Sequence, residues 1–190
     1  MQRLKSLYNR IKSSEQLLEQ VRDGDNLDAL SALGVLKERE ALTDGSFEGL
    51  DLNSANLAQA TFAAGKMRDI VLQGATLTHT YFHMTQVQGA DFSQANLTYA
   101  NFREAYAQEA NFSEAICTHA NFSRADLTRT NFTHADLQNA NFWSTTLVSA
   151  NLTGATLTGA TLIDVVCDAS TILPDGSAWH ADVDWGVFTG

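Results

Sequence analysis

One proline in 190 residues, two cysteines, and no long uninterrupted apolar run set the first limits on this chain. Two cysteines cannot make a disulfide-held scaffold. Positive charge is scarce: 12 lysines and arginines stand against 22 aspartates and glutamates, a formal net charge of −10. That balance argues against direct binding to a nucleic-acid backbone. It is spread as −1 over residues 1–45, −6 over 46–169 and −3 over the remainder. No run approaches the roughly 20 apolar residues of a membrane-spanning helix. The basic stretch from Arg3 to Lys12 lacks the continuous apolar core of a secretory signal. It reads only weakly as a membrane-surface helix, because Glu15, Glu19 and Asp23 follow at once. A cytoplasmic setting is the expectation.

What the chain does have is a period of five. Every fifth residue from Phe47 to Ile172 is apolar, 26 positions in succession. Two residues before each stands a mostly small residue, as in Ala95-Asn96-Leu97-Thr98-Tyr99 and Ala135-Asp136-Leu137-Gln138-Asn139. Five matches neither the 3.6 of a helix nor the 2 of a strand. A fixed repeat points instead to a solenoid, in which each unit buries its apolar residue against its neighbours. A second period of 20 supports this. It gathers Phe62, Phe82, Phe102, Phe122, Phe142 and Leu162 into one column, and Leu57, Leu77, Leu97, Cys117, Leu137 and Leu157 into another without an aromatic. Four units per coil would place like on like.

These A-(D/N)-(L/F)-X-X units resemble the pentapeptide-repeat family over about two-thirds of the chain. The resemblance implies an all-β solenoid, a right-handed quadrilateral β-helix, with the apolar centre and the preceding small residue inside. Leu50, Ile70, Thr80, Thr85, Thr130 and Thr145 depart from the small residue, and Ala107 and the cysteines thin the centre. Local bulges or looser packing are expected there. About 6.5 coils at the inter-strand step would make a rod of about 30 Å. Cys117 and Cys167 would then lie ~12 Å apart along it, too far for a disulfide, and pack as free thiols.

Three segments are expected: an N-terminal helical cap over residues 1–42, the β-helix over 43–173 and a capping tail over 174–190. In the first, Leu4, Leu7, Tyr8, Ile11, Leu18 and Val21 recur at helical spacing. Ser13 to Gln16 offers a capping box. Gly24 could take a left-handed C-cap, and Asp25 or Asn26 could cap a second helix running to about Ala41. Such a hairpin would cover the open end of a solenoid, with dimerisation or another partner as alternatives. Pro174-Asp175-Gly176 marks the exit turn. Trp179, Trp185 and Phe188 beyond it would cover the last layer, or make an aromatic contact between two copies.

No phosphate loop, H-E-x-x-H or G-x-S-x-G motif occurs. The five histidines fall in different columns or coils and do not converge on one ion. Five Asn-X-Ser/Thr triplets are products of the repeat. The expectation is a protein that is not an enzyme, with no catalytic residue, metal ligand or cofactor assigned. Two surface features remain. His79, Tyr81, Tyr99 and His119 gather on one edge among asparagines, with Trp143 on a neighbouring face, as a candidate partner patch. Asp51, Asp69, Asp91 and Glu109 form a candidate acidic ladder on another edge, interrupted by Arg68 and Arg129. The leading reading is a rigid rod that binds a protein partner. The family resemblance supplies an alternative, an acidic DNA mimic that binds DNA gyrase or topoisomerase IV and protects against fluoroquinolones.

Overall fold

A computed structural model describes residues 12–190. The apolar positions Leu4, Leu7, Tyr8 and Ile11, and the basic stretch before Lys12, lie outside the described residues. Helix α1 spans Ser14–Asp23 and α2 spans Asn26–Glu38. Ser13 caps α1: its hydroxyl accepts from the Gln16 amide at 3.2 Å, while the Gln16 side chain accepts from the Ser13 amide at 3.0 Å. Asp25 caps α2 by accepting from the Asp28 amide at 2.8 Å. Two expectations are corrected. Gly24 is extended (φ −75°, ψ 161°), not left-handed, and glycine is needed there because a β-carbon would collide with the Gln20 carbonyl oxygen. The second helix stops at Glu38, three residues before Ala41.

The hairpin closes the first end of the rod. Leu17, Val21, Ala29, Ala32, Leu33 and Leu36 are buried in one continuous core with Phe47 and Leu52. Asn26 ties it down by donating from Nδ2 to the carbonyls of Asn56 and Ala58, at 3.2 and 3.0 Å. The Leu42 carbonyl accepts from the Lys66 amide at 2.7 Å. Unpaired backbone groups at that end are thereby supplied with partners.

From Asp51 onward the chain climbs as a four-sided helix of single parallel bridges. Each joins residues 20 apart, from Asp51 with Val71 to Thr146 with Val166. Around Phe102 the bonding unit is complete. The Phe102 amide donates to the Asn121 carbonyl (2.7 Å), the Asn121 amide to the Ala100 carbonyl (2.9 Å), and the Ala105 amide closes a turn on the Phe102 carbonyl (3.0 Å). The third residue of that turn is left-handed at every step from Ser54 to Asp164. Only four of those 23 positions are glycine, and none is valine, isoleucine or threonine. A branched β-carbon is the least tolerated side chain at positive φ. Threonine abounds one residue earlier, at Thr78, Thr98, Thr118, Thr128 and Thr158. The turn therefore imposes a sequence rule that the apolar period does not reveal.

Inside, two columns of phenylalanine interdigitate. Phe62, Phe82, Phe102, Phe122 and Phe142 stack with ring centroids 4.6–5.4 Å apart. Phe92, Phe112 and Phe132 stack in the opposite column at 4.8–4.9 Å, and rings meet edge to face between columns. Each buried ring contributes about 1.5–3 kcal/mol. The threonines that replace alanine do not bulge the wall. Thr80, Thr85, Thr130 and Thr145 are buried, and their hydroxyls donate to the carbonyls of Leu57, Phe62, Leu127 and Phe122 at 2.7–3.0 Å. A buried hydroxyl with a carbonyl in reach carries no desolvation penalty that would open the coil.

The bulge lies elsewhere. Asn151 bridges Ile172, not residue 171, so one extra residue enters between Cys167 and Ile172. Ile172 is consequently a bridge residue, Leu173 becomes the buried centre and Thr171 fills the small-residue slot, correcting the last step of the repeat. Asp168 holds this bulge. Its carboxylate accepts from the amides of Ser149 (2.9 Å) and Ser170 (3.1 Å) and from the Thr171 hydroxyl (3.1 Å). Those donors, the Ser149 amide first, pull its pKa below the usual carboxylate range. An antiparallel bridge from Ile172 to Ala178 follows, then α3, Gly186–Thr189. Trp185 and Phe188 pack on the core there. Both cysteines are free; burial pushes the Cys117 thiol up strongly and the half-buried Cys167 thiol to about 11. No helix among the described residues is long and apolar enough to cross a membrane.

The turn rule has a direct test at Ala64, which is exposed with φ 58°. Ala64→Val should destabilise the rod by about 1–3 kcal/mol, whereas Ala64→Gly should leave it unchanged or slightly raised, in thermal melts. Equal melting of the two variants would remove the rule.

Candidate functional site

A repeat of 20 turns equal positions into columns, so outward side chains meet partners far away in sequence. His79, Tyr99 and His119 hold the same left-handed turn position in three successive coils, with φ of 56°, 59° and 57°. Their rings stack face to face on the outside of the rod. The centroids of His79 and Tyr99 are 4.9 Å apart at 8°, and those of Tyr99 and His119 are 4.7 Å apart at 5°. That spacing is the coil rise itself, which parallel pairing sets at about 4.8 Å. All three are exposed.

Tyr81 stands in the next column, which runs from Thr61 through Tyr81 to Asn101, Asn121 and Asn141. Each asparagine turns its side-chain oxygen to the amide two residues on, at 2.9–3.0 Å, and so stiffens the wall beside the stack. On the other flank Thr118 donates to the Thr98 hydroxyl at 3.2 Å, and Thr98 to Asn96 at 2.8 Å. The flanking residues Thr78, Thr98, Thr118, Asn101 and Asn121 carry no formal charge, although the chain carries −10. Interfaces are depleted of charge and enriched in tyrosine at their centres.

Trp143 stands apart from this group. Its ring lies under the guanidinium of Arg124, 4.8 Å from the centroid. Arg124 also approaches Glu104 at 3.7 Å, which Arg103 pairs at 3.0 Å. Arg124 escaped the sequence reading because its contact spans 19 residues, one less than a coil. A search at 19 as well as 20 would have found it.

The four acidic positions divide between two neighbouring columns. Asp51 and Asp91 share one, with Val71 between them. Asp69 and Glu109 occupy a turn position of the adjacent corner, where the Asp69 carboxylate lies over Gly89. Much of this charge is already engaged. Asp51 accepts from the Asn53 amide (3.0 Å), Asp91 from the Ser93 amide (2.9 Å) and the Asn111 side chain (3.1 Å), and Glu109 pairs with Arg129 at 3.2 Å. Asn111 and Asn131 continue the column as an amide ladder at 3.0 Å.

No group of His, Cys, Asp and Glu among the described residues is arranged to hold a metal ion. A surface depression where the hairpin meets the rod is lined by Glu15, Leu18, Glu19, Arg22, Leu50 and Asp51.

Comparison with known proteins adds the family. The model for pentapeptide repeats matches in eight copies, at residues 55–94, 90–129, 108–143 and 125–164, more than half of the chain. No curated protein sequence matches it. Among solved structures, trypsin-treated QnrB1, a plasmid-mediated fluoroquinolone resistance protein, is 16% identical, with a TM-score of 0.63 over 73% of this chain and 72% of its own. HetL of Nostoc sp. strain PCC 7120, a pentapeptide repeat protein involved in heterocyst differentiation regulation, is 23% identical over 77% of this chain and 98% of its own, with a TM-score of 0.41. A pentapeptide repeat protein of the Arabidopsis thaliana thylakoid lumen is 27% identical over 62% of this chain and 68% of its own, with a TM-score of 0.35. At these identities the likeness is one of fold. Repeat register, four-sided coil and family match agree: this chain belongs to the pentapeptide-repeat family, and its rod is a right-handed quadrilateral β-helix.

Proposed function

We propose that this protein is a non-enzymatic binding rod, cytoplasmic in setting, that presents the His79–Tyr99–His119 stack and Tyr81 to a protein partner. The observation that carries the reading is the stack itself, three exposed rings in contact and flanked by Thr78, Thr98, Thr118, Asn101 and Asn121, none of which carries a formal charge. Stacking fixes each ring by its neighbours, so little side-chain entropy remains to be lost on binding. A tyrosine held this way is a suitable anchor. Trp143 serves a separate contact, because Arg124 already covers its ring. Affinity purification of a partner with the wild-type rod, repeated with Tyr81→Ala/Tyr99→Ala, tests the assignment. At least tenfold weaker capture of one partner is expected at unchanged melting temperature; an identical partner set and yield would retire the patch.

A second reading is an acidic DNA mimic acting on DNA gyrase or topoisomerase IV. Net charge and the fold likeness to QnrB1 favour it. Against it stand the engaged carboxylates, with Val71 and Gly89 spacing them into separate pairs, and corners that are tight turns throughout. A gyrase supercoiling assay with and without ciprofloxacin separates the two readings. The binding-rod account expects no inhibition and no protection at micromolar protein; either effect would give the mimic precedence.

A further inference from the structure

The two ends of the rod are closed to different degrees. At the far end the tail adds a bridged rung on one of the four sides, 151–154, and a single bond on the next, 155–159, where among the described residues the Leu157 amide is left without a backbone partner. The Leu152 amide donates to the Ile172 carbonyl (2.9 Å), the Gly154 amide to Pro174 (2.8 Å) and the Gly159 amide to Thr189 (2.8 Å). The other two sides of the last coil, residues 160–167, receive no such rung. In each lower coil the equivalent amides donate upward, as Phe142 does to Thr161 (2.8 Å), Ser144 to Ile163 (2.9 Å) and Leu147 to Val166 (2.7 Å). Among the described residues the amides of Leu162, Asp164 and Cys167, and the upward-facing carbonyls of Ala160 and Val165, have no hydrogen-bond partner. The inward side chains tell the same story. Phe142, Thr145 and Leu147 are fully buried one coil below, whereas Leu162, Val165 and Cys167 are only partly covered.

We propose that this half-open coil is a docking site for an extended segment of a partner protein, which adds the missing rung by parallel β-pairing. Everything about the acceptor site is fixed by the coils beneath it. It offers three donors and two acceptors at the residue spacing the lower coils use, which an extended backbone matches. The inward slots set the sequence. One small residue must face the Ala160 corner and a Leu or Phe must follow two residues later over Leu162, with the same pair five residues on over Val165 and Cys167. The segment is thus about ten residues long, of the form small-x-apolar-x-x repeated once. A second copy of the chain is a poorer occupant. In a second copy the matching repeat residues are buried inside a closed tube, and the tail stands a rung higher beside the open half.

The probe is a decapeptide with this chain's own sequence 120–129, which supplies these two sides in the third-last coil, against a scrambled peptide that breaks the spacing of five. Amide hydrogen exchange on the whole protein reads the outcome. With millimolar cognate peptide, exchange at Leu162, Asp164 and Cys167 should slow at least tenfold, and the scrambled peptide should leave it unchanged. Val165→Asp, at the partly covered inward slot, should abolish the protection, while the outward Ile163→Ala should keep it. The proposal is overturned by equal effects of the two peptides. It is also overturned if these amides are already as protected as Phe142 in the free protein, or if protein concentration alone protects them, which would make a second copy the occupant. None of these outcomes depends on the ring stack, so the two surfaces are judged separately.

Discussion

Each inward side chain of this rod is buried because the same position lies directly above and below it. Phe102 touches Phe82 and Phe122 in its own column and Phe92 and Phe112 across the tube. The rings of the middle coils are buried in one core that runs through neighbouring coils, so a single coil has no core of its own. The geometry that permits the stack is the left-handed turn, which swings the backbone through a corner every five residues and brings it back above itself after 20. Left-handed residues other than glycine cost of order 1–2 kcal/mol each, and the bonds and burial that each coil completes offset that cost. Stability is therefore a property of neighbouring coils together.

The outward chemistry follows from the same constraint. Because equal turn positions superpose at the coil rise, an aromatic repeated at a spacing of 20 must stack, and His79, Tyr99 and His119 do. Charges repeated at that spacing must either repel or find a neutral neighbour. Asp51 and Asp91 are separated by Val71, the Asp69 carboxylate lies over Gly89, and Glu109 is met by Arg129. In these two columns no continuous single-sign stripe forms.

Much of this was legible in the chain. The period of five fixed the inward residues, and the period of 20 placed the Phe82, Phe102 and Phe122 rings and the histidine–tyrosine edge. What escaped has physical causes. Threonine in place of alanine predicts a looser wall, but a hydroxyl that finds a carbonyl at 2.7–3.0 Å fits an alanine slot. The slip before Leu173 was hidden because Ile172 and Leu173 are both apolar, so either could continue the count. Permitted angles suggest a left-handed cap at Gly24, while its actual role is to let the Gln20 carbonyl come close. Arg124 and Trp143 meet diagonally across coils, at a spacing the column count does not sample.

How the rod ends is as informative as how it repeats. The helical hairpin grips the first coil with Asn26 and a continuous apolar core, and the tail adds a bridged rung on one side of the last coil and a single bond on the next. The measurement that tests the central claim most directly is the unfolding of Phe102→Asp beside the outward control Asn101→Asp. A charge placed between stacked rings has no partner, so the first variant should lose more than about 4 kcal/mol. Amide protection should vanish together across the coils holding Phe82, Phe102 and Phe122. The control should melt like the wild type. A Phe102→Asp protein that melts with its control would mean that the coils do not hold one another up.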